Sequence, residues 1–105
     1  MLKLVMYVPQ GFEAVVKDAV FAAGAGHLGA YSECAWQTLG TGQFRPSETA
    51  NPAIGQRGEV TQVTEWRIEV LVDEAHKTAV IDALRSAHPY EEPAFELIRL
   101  EWPVR

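Results

Sequence analysis

Apolar positions recur along this chain in two periods, and the switches between them mark out the elements. Leu2, Leu4, Met6 and Val8 alternate with Lys3, Val5 and Tyr7. Period two predicts a strand, and Val5 and Tyr7 make its second side partly apolar too. Pro9-Gln10-Gly11 breaks the pattern. Phe12, Val15, Val16, Ala19, Val20 and Ala23 then fall at helical spacing, which predicts a helix over residues 11–23. Glu13 suits the N-terminal end of its dipole and Gly24 its stop. Tyr31 to Phe44 lacks a helical period and reads as a strand with an irregular start. Gly40-Thr41-Gly42 inside it predicts a bulge or a close backbone approach. Residues 45–58 hold two prolines and two glycines, and predict a long loop of the kind that is usually functional or ordered by a partner.

Period two resumes from Val60 to Val72, with Trp66, Ile68, Val70 and Val72 facing one way and Glu65, Arg67 and Glu69 the other. Asp73 is placed to cap a second helix, carried by Ala75, Ala79, Val80, Ala83, Leu84 and Ala87. Pro89 ends it, because a proline disfavours helical geometry at the residue before it, His88. Ala94 to Trp102 reads as the last strand. Its apolar phase shifts from Phe95 and Leu97 to Ile98 and Leu100, which predicts a bulge or burial on both faces. Residues 103–105 form a short tail.

The order β-α-β-β-α-β predicts an α+β, ferredoxin-like fold: a four-stranded antiparallel sheet with two helices on one face, as a single domain over residues 1–105. The other face would pair Glu65, Arg67 and Glu69 with apolar and aromatic residues. A half-apolar open face of that kind predicts a partner, most simply further copies in a closed homo-oligomer.

Composition narrows the function. The net charge is −5 and no basic run occurs, which argues against sequence-independent nucleic-acid binding and against an anionic membrane surface. Cys34 is the one cysteine, so no intramolecular disulfide forms. No apolar run nears the ~20 residues of a membrane span, and the N-terminus lacks a secretory pattern. The expected location is the cytoplasm.

Four stretches carry a resemblance. They are Gly24-Ala25-Gly26-His27-Leu28-Gly29-Ala30-Tyr31-Ser32-Glu33-Cys34, Gly40-Thr41-Gly42-Gln43-Phe44-Arg45-Pro46, Ala50-Asn51-Pro52-Ala53-Ile54-Gly55 and Ala87-His88-Pro89-Tyr90-Glu91-Glu92-Pro93-Ala94. With Glu65-Trp66-Arg67-Ile68-Glu69, they make the chain similar to a stand-alone version of the insert domain of the YqfO-type proteins. These form the NGG-interacting-factor family, also labelled GTP cyclohydrolase I type 2 homologues. The His-Pro-Tyr-Glu turn also resembles the trimeric CutA proteins. The resemblance implies a PII/CutA-like fold, a homo-oligomer with a trimer favoured, and a regulatory or ligand-binding role. The metal-binding halves of the larger proteins have no counterpart in these residues, so their ligands and any hydrolase-like activity do not carry over.

The candidate chemistry lies in two segments. Gly26, His27, Tyr31, His88, Tyr90 and Glu91 are candidate ligand-binding residues. His27, His88 and Glu92 are candidate ligands of a divalent metal such as zinc or copper, since imidazole and carboxylate suit such ions. The plainer reading is that each histidine satisfies backbone groups in a turn. Glu91 and Glu92, adjacent in an extended segment, would point to opposite sides and form no acid–base pair. Pro89 and Pro93 favour a structural or interface role for that turn. Cys34 reads as a small buried residue rather than a nucleophile. The G-x-G-x-x-G spacing of Gly24 to Gly29 follows a helix instead of opening one, which excludes a dinucleotide site. The function expected is a non-enzymatic regulatory module binding a metal or small ligand. The alternatives are a metal-dependent enzyme using His27 and His88, or an accessory protein docking on another chain.

Overall fold

Strand β1 (Leu2–Pro9) lies inside the sheet, and its position explains its apolar pattern. The computed structural model describes residues 1–102 and arranges four strands in the order β2-β3-β1-β4, every neighbouring pair antiparallel. The chain runs β1, α1 (Glu13–Ala22), β2 (Trp36–Phe44), β3 (Thr61–Val72), a 3₁₀ turn (Glu74–His76), α2 (Lys77–Ala87) and β4 (Phe95–Arg99). This is the predicted α+β, ferredoxin-like order. The tail from Pro103 onward lies outside the described residues.

Leu2, Leu4, Met6 and Val8 meet Ile68, Val70 and Val72 of β3, Val16 and Val20 of α1, and Val80 and Leu84 of α2 in one buried cluster. Each such side chain contributes about 1.5–3 kcal/mol on leaving water. Val5 is also fully buried but lies on the other sheet face, outside that cluster. Its register partners there are Glu69 and Glu96. Lys3 bonds Glu69 at 3.1 Å, and Arg67 approaches the same carboxylate at 3.5 Å. Trp36 (61% exposed) and Ile98 (43%) stand open on that face.

Helix α1 starts later than periodicity predicts because Gly11 takes φ +103°, a left-handed conformation that no helix continues. Glu13 reaches back to accept the Gly11 N–H at 2.6 Å, satisfying a donor ahead of the first turn. Gly24, at φ +114°, stops the helix as expected. A Cβ at Gly24 would come within 2.6 Å of the His76 ring, where α2 begins. Gly24→Ala is therefore expected to cost about 1–2 kcal/mol, from backbone strain plus the crowded imidazole, read as a lower urea midpoint.

Three expectations are corrected, and the either-or reading of Gly40-Thr41-Gly42 loses its bulge. Residues 31–35 do not extend β2: Leu28 and Tyr31 pair with each other across a tight turn, and Cys34 donates its N–H to Gly26 at 2.9 Å. No bulge interrupts β2, whose register with β3 runs unbroken from Trp36↔Glu69 to Phe44↔Thr61. Asp73 sits at the start of the 3₁₀ turn, yet its side chain makes no capping bond. β4 is shorter than its apolar run and unbulged, in continuous register from Met6↔Phe95 to Leu2↔Arg99. Its apolar phase shift arises because Ile98 occupies the open face while Leu100 lies past the strand, donating its N–H to Met1. Helix α2 ends at Ala87, and His88 is extended (φ −72°, ψ 136°), as the following proline requires.

Strands β2 and β3 outrun the helical layer, giving a molecule of 51 × 24 × 24 Å. The predicted loop folds back from the end of this long hairpin and is tied within itself by Gly58 N–H to Pro46 (2.7 Å) and Arg57 Nε to Ala50 (2.6 Å).

Candidate functional site

The turn after α2 is fixed from within by His88. Its ring is buried, with Nε2 2.7 Å from the Tyr7 carbonyl oxygen and Nδ1 3.1 Å from the Tyr90 backbone N. A carbonyl only accepts and an amide N–H only donates, so Nε2 carries the proton and Nδ1 is the acceptor. Burial pushes the imidazole pKa below its ordinary value, against the opposing pull of the Tyr7 bond and the Glu65 charge. His88 thus ties the helix-to-strand turn to β1 as a neutral imidazole.

That latch positions Tyr90. The two rings lie 4.8 Å apart, and the Tyr90 hydroxyl donates to Glu65 Oε2 at 2.7 Å. Burial first, and then the Glu65 carboxylate, push the Tyr90 phenol well above an ordinary tyrosine. Glu65 projects from β3 onto the open face, beside β2. A Cβ on Gly42 would occupy the space of the Glu65 carboxyl group. The Gly40-Thr41-Gly42 signal is therefore a close approach, and what approaches is a carboxylate.

The loop of residues 45–58 arches over this corner and leaves a pocket of about 550 Å³. Phe44, Pro46, Ala50, Pro52, Ala53 and Ile54 supply most of its apolar wall. Tyr7, Glu65, Tyr90, Glu91, Glu92, Arg45 and Ser47 supply its polar groups. Phe44 and Tyr90 face each other at 6.0 Å with a 55° tilt. Glu91 accepts the Asn51 N–H at 3.1 Å and so clasps the loop to the turn. Glu91 and Glu92 both line the pocket, because residues 89–92 bend instead of running extended. The opposite-sides expectation fails for that reason.

Of the candidate ligand-binding residues, Tyr90 and Glu91 reach this pocket, with His88 supporting them from behind. Gly26, His27 and Tyr31 do not. Gly26 donates its N–H to Leu71, whose neighbour on β1 is Lys3. His88 bonds Tyr7, four residues along β1, about 13 Å away at the rise of a strand. His27 lines a separate shallow pocket with Asp18, Phe21, Ser32 and Glu33, and Tyr31 is 74% exposed. Cys34 is half-buried and outside the core cluster, with Sγ 3.7 Å from the Ser32 carbonyl.

Within one chain the donor set His27, His88 and Glu92 does not fit a divalent metal. Both His88 nitrogens are already engaged, and His27 is at the other end of the sheet. Among the described residues no group of three His, Cys, Asp or Glu side chains converges as a metal site. Sequence reasoning missed Glu65, Phe44 and Arg45 as site residues. The one signal that pointed to Glu65 was the glycine pair on the strand facing it.

These features define a ferredoxin-like fold of the PII/CutA-like type. A periplasmic divalent cation tolerance protein CutA from Archaeoglobus fulgidus matches all of this chain and 89% of its own, with a TM-score of 0.69 at 16% identity. A PII-like protein CutA from Nostoc sp. covers 96% of this chain and 82% of its own, with a TM-score of 0.62 at 17% identity. In sequence, the chain is similar to a stretch of the GTP cyclohydrolase 1 type 2 homologs. The homolog from Mycobacterium leprae is 48% identical over 101 residues, 96% of this chain and 26% of its own length. A Bacillus cereus protein related to NIF3 has a TM-score of 0.82 at 38% identity, over 95% of this chain and 25% of that one. The chain thus spans about a quarter of the length of the curated relatives it matches. No family model matches it. Among the described residues no helix is long and apolar enough to cross a membrane.

Proposed function

We propose that this chain is a regulatory module that binds a small organic ligand under the loop of residues 45–58. The observation that carries the reading is the pocket between Phe44, Glu65, Tyr90 and that loop. Its volume, about 550 Å³, lies within the range of about 300–1,000 Å³ usual for small-molecule sites. It also has their composition, a mainly apolar wall with a few convergent polar groups. The loop is clasped through one exposed bond, Asn51 N–H to Glu91, so it opens and closes at little cost. A ligand that bridges the loop to Tyr90 would convert binding into loop order, which a partner protein reads.

The module works as a homo-oligomer, with a trimer the preferred assembly, through the sheet face where Trp36 and Ile98 stand open. The CutA-like fold supports this, and burial of both side chains against further copies accounts for their apolar character. The cytoplasm is its expected location.

Native mass spectrometry of freshly purified protein, with ligand release and identification, tests the reading. The expected result is a retained organic molecule on an oligomer. Binding should weaken about fivefold in Tyr90→Phe, which removes one hydroxyl at a cost of about 1 kcal/mol. A strict 11.6 kDa monomer would remove the assembly. Equal affinity in wild type and Tyr90→Phe would remove the pocket.

A further inference from the structure

We propose that the pocket selects a flat organic cation: an amidinium, a guanidinium or a protonated nitrogen heterocycle, with an aromatic or apolar body. The inference rests on the pocket reading above and adds the charge and shape of what enters. Three carboxylates, Glu65, Glu91 and Glu92, line the pocket against one guanidinium, Arg45. Among the described residues, Glu65 accepts a single hydrogen bond, from Tyr90 to Oε2, whereas a carboxylate has about four acceptor positions. Gly42 lets Oε1 pack against bare backbone, and among the described residues that oxygen accepts no hydrogen bond, so the carboxylate keeps acceptor positions for a donor. A two-pronged N–H donor suits a carboxylate in geometry as well as charge. The rings of Phe44 and Tyr90, tilted 55° at 6.0 Å, give the ligand body an aromatic wall whose faces attract cations. An anion of the same shape would meet the same three carboxylates and be repelled.

Benzamidine, benzamide and benzoate share one shape and differ in charge. Each is titrated into ¹⁵N-labelled full chain, following the amides of Phe44, Glu65 and Tyr90. The expected order is benzamidine about tenfold tighter than benzamide, with benzoate weakest. Glu65→Gln should erase the benzamidine advantage while leaving benzamide unchanged, since glutamine keeps an oxygen for Tyr90. Benzoate binding as tightly as benzamidine overturns the cation inference but leaves the pocket reading intact. So does a benzamidine advantage that survives in Glu65→Gln. No shift of the pocket amides with any probe up to about 10 mM, the range for fragments this small, overturns both. The wild-type comparison decides the charge preference even where Glu65→Gln folds poorly.

Discussion

His88→Ala is expected to lower folding stability by about 3 kcal/mol, seen as a drop in the urea midpoint at unchanged slope. Removing the ring strips the Tyr7 carbonyl and the Tyr90 N–H of their partners, and each orphaned group costs about 1–3 kcal/mol. The ring's buried volume is lost as well. His88→Phe separates the two causes: it restores packing without either hydrogen bond, and should recover only about a third of the loss. The same residue predicts a pH dependence. Its folded pKa is depressed, so the unfolded chain binds the proton more readily, and the contribution of the neutral imidazole is complete above the ordinary histidine value of 6.5. Stability should fall as pH drops below that value and continue down through the lowered folded pKa. This slope should be absent from His88→Phe and therefore appear in the difference between wild type and that variant. A pH profile identical in the two proteins would rule out His88 as a buried neutral latch.

Gly42→Val is expected to spare the fold and disable the pocket. Position 42 lies in a regular strand with no positive φ, and valine suits such a strand, so stability should change by less than about 1 kcal/mol. Its Cβ takes the place of the Glu65 carboxyl group, which must swing away, since it is the end of a flexible side chain. The Tyr90–Glu65 bond then breaks, and the phenol moves part of the way back toward its ordinary value of 10, while burial still holds it above that value. Alkaline absorbance titration, differenced against Tyr90→Phe, should show this directly. Loss of the anchoring carboxylate should weaken a cationic pocket ligand at least tenfold, the effect of a single charge-assisted hydrogen bond. A Tyr90 titration unchanged in Gly42→Val would mean that Glu65 does not depend on the missing side chain.

The relation between the two variants follows from the build of the site. His88 holds the turn, the turn holds Tyr90, Tyr90 holds Glu65, and Gly42 makes room for it. A change at the base of this chain of contacts acts on folding. One at its tip acts on the ligand.

Local pattern determined the elements of this protein. The alternation in Leu2–Val8 and Trp66–Val72, the helical spacing of Val16 and Val20 and of Val80 and Leu84, and the stops at Gly24 and Pro89 each depend on neighbours in sequence. Their order implied the ferredoxin-like sheet, and the quoted motifs led to the PII/CutA resemblance. Tertiary structure alone decided the site. Glu65 reads in sequence as one polar position of an alternating strand; its role comes from Gly42, Tyr90 and a loop that folds back onto the face it shares with them. His88 reads as chemistry, yet two backbone partners, one of them 81 residues away in β1, consume both its nitrogens. Periodicity records which way a side chain points. It does not record which distant backbone atom or missing Cβ lies there, and those contacts separated a structural histidine from a pocket-lining carboxylate.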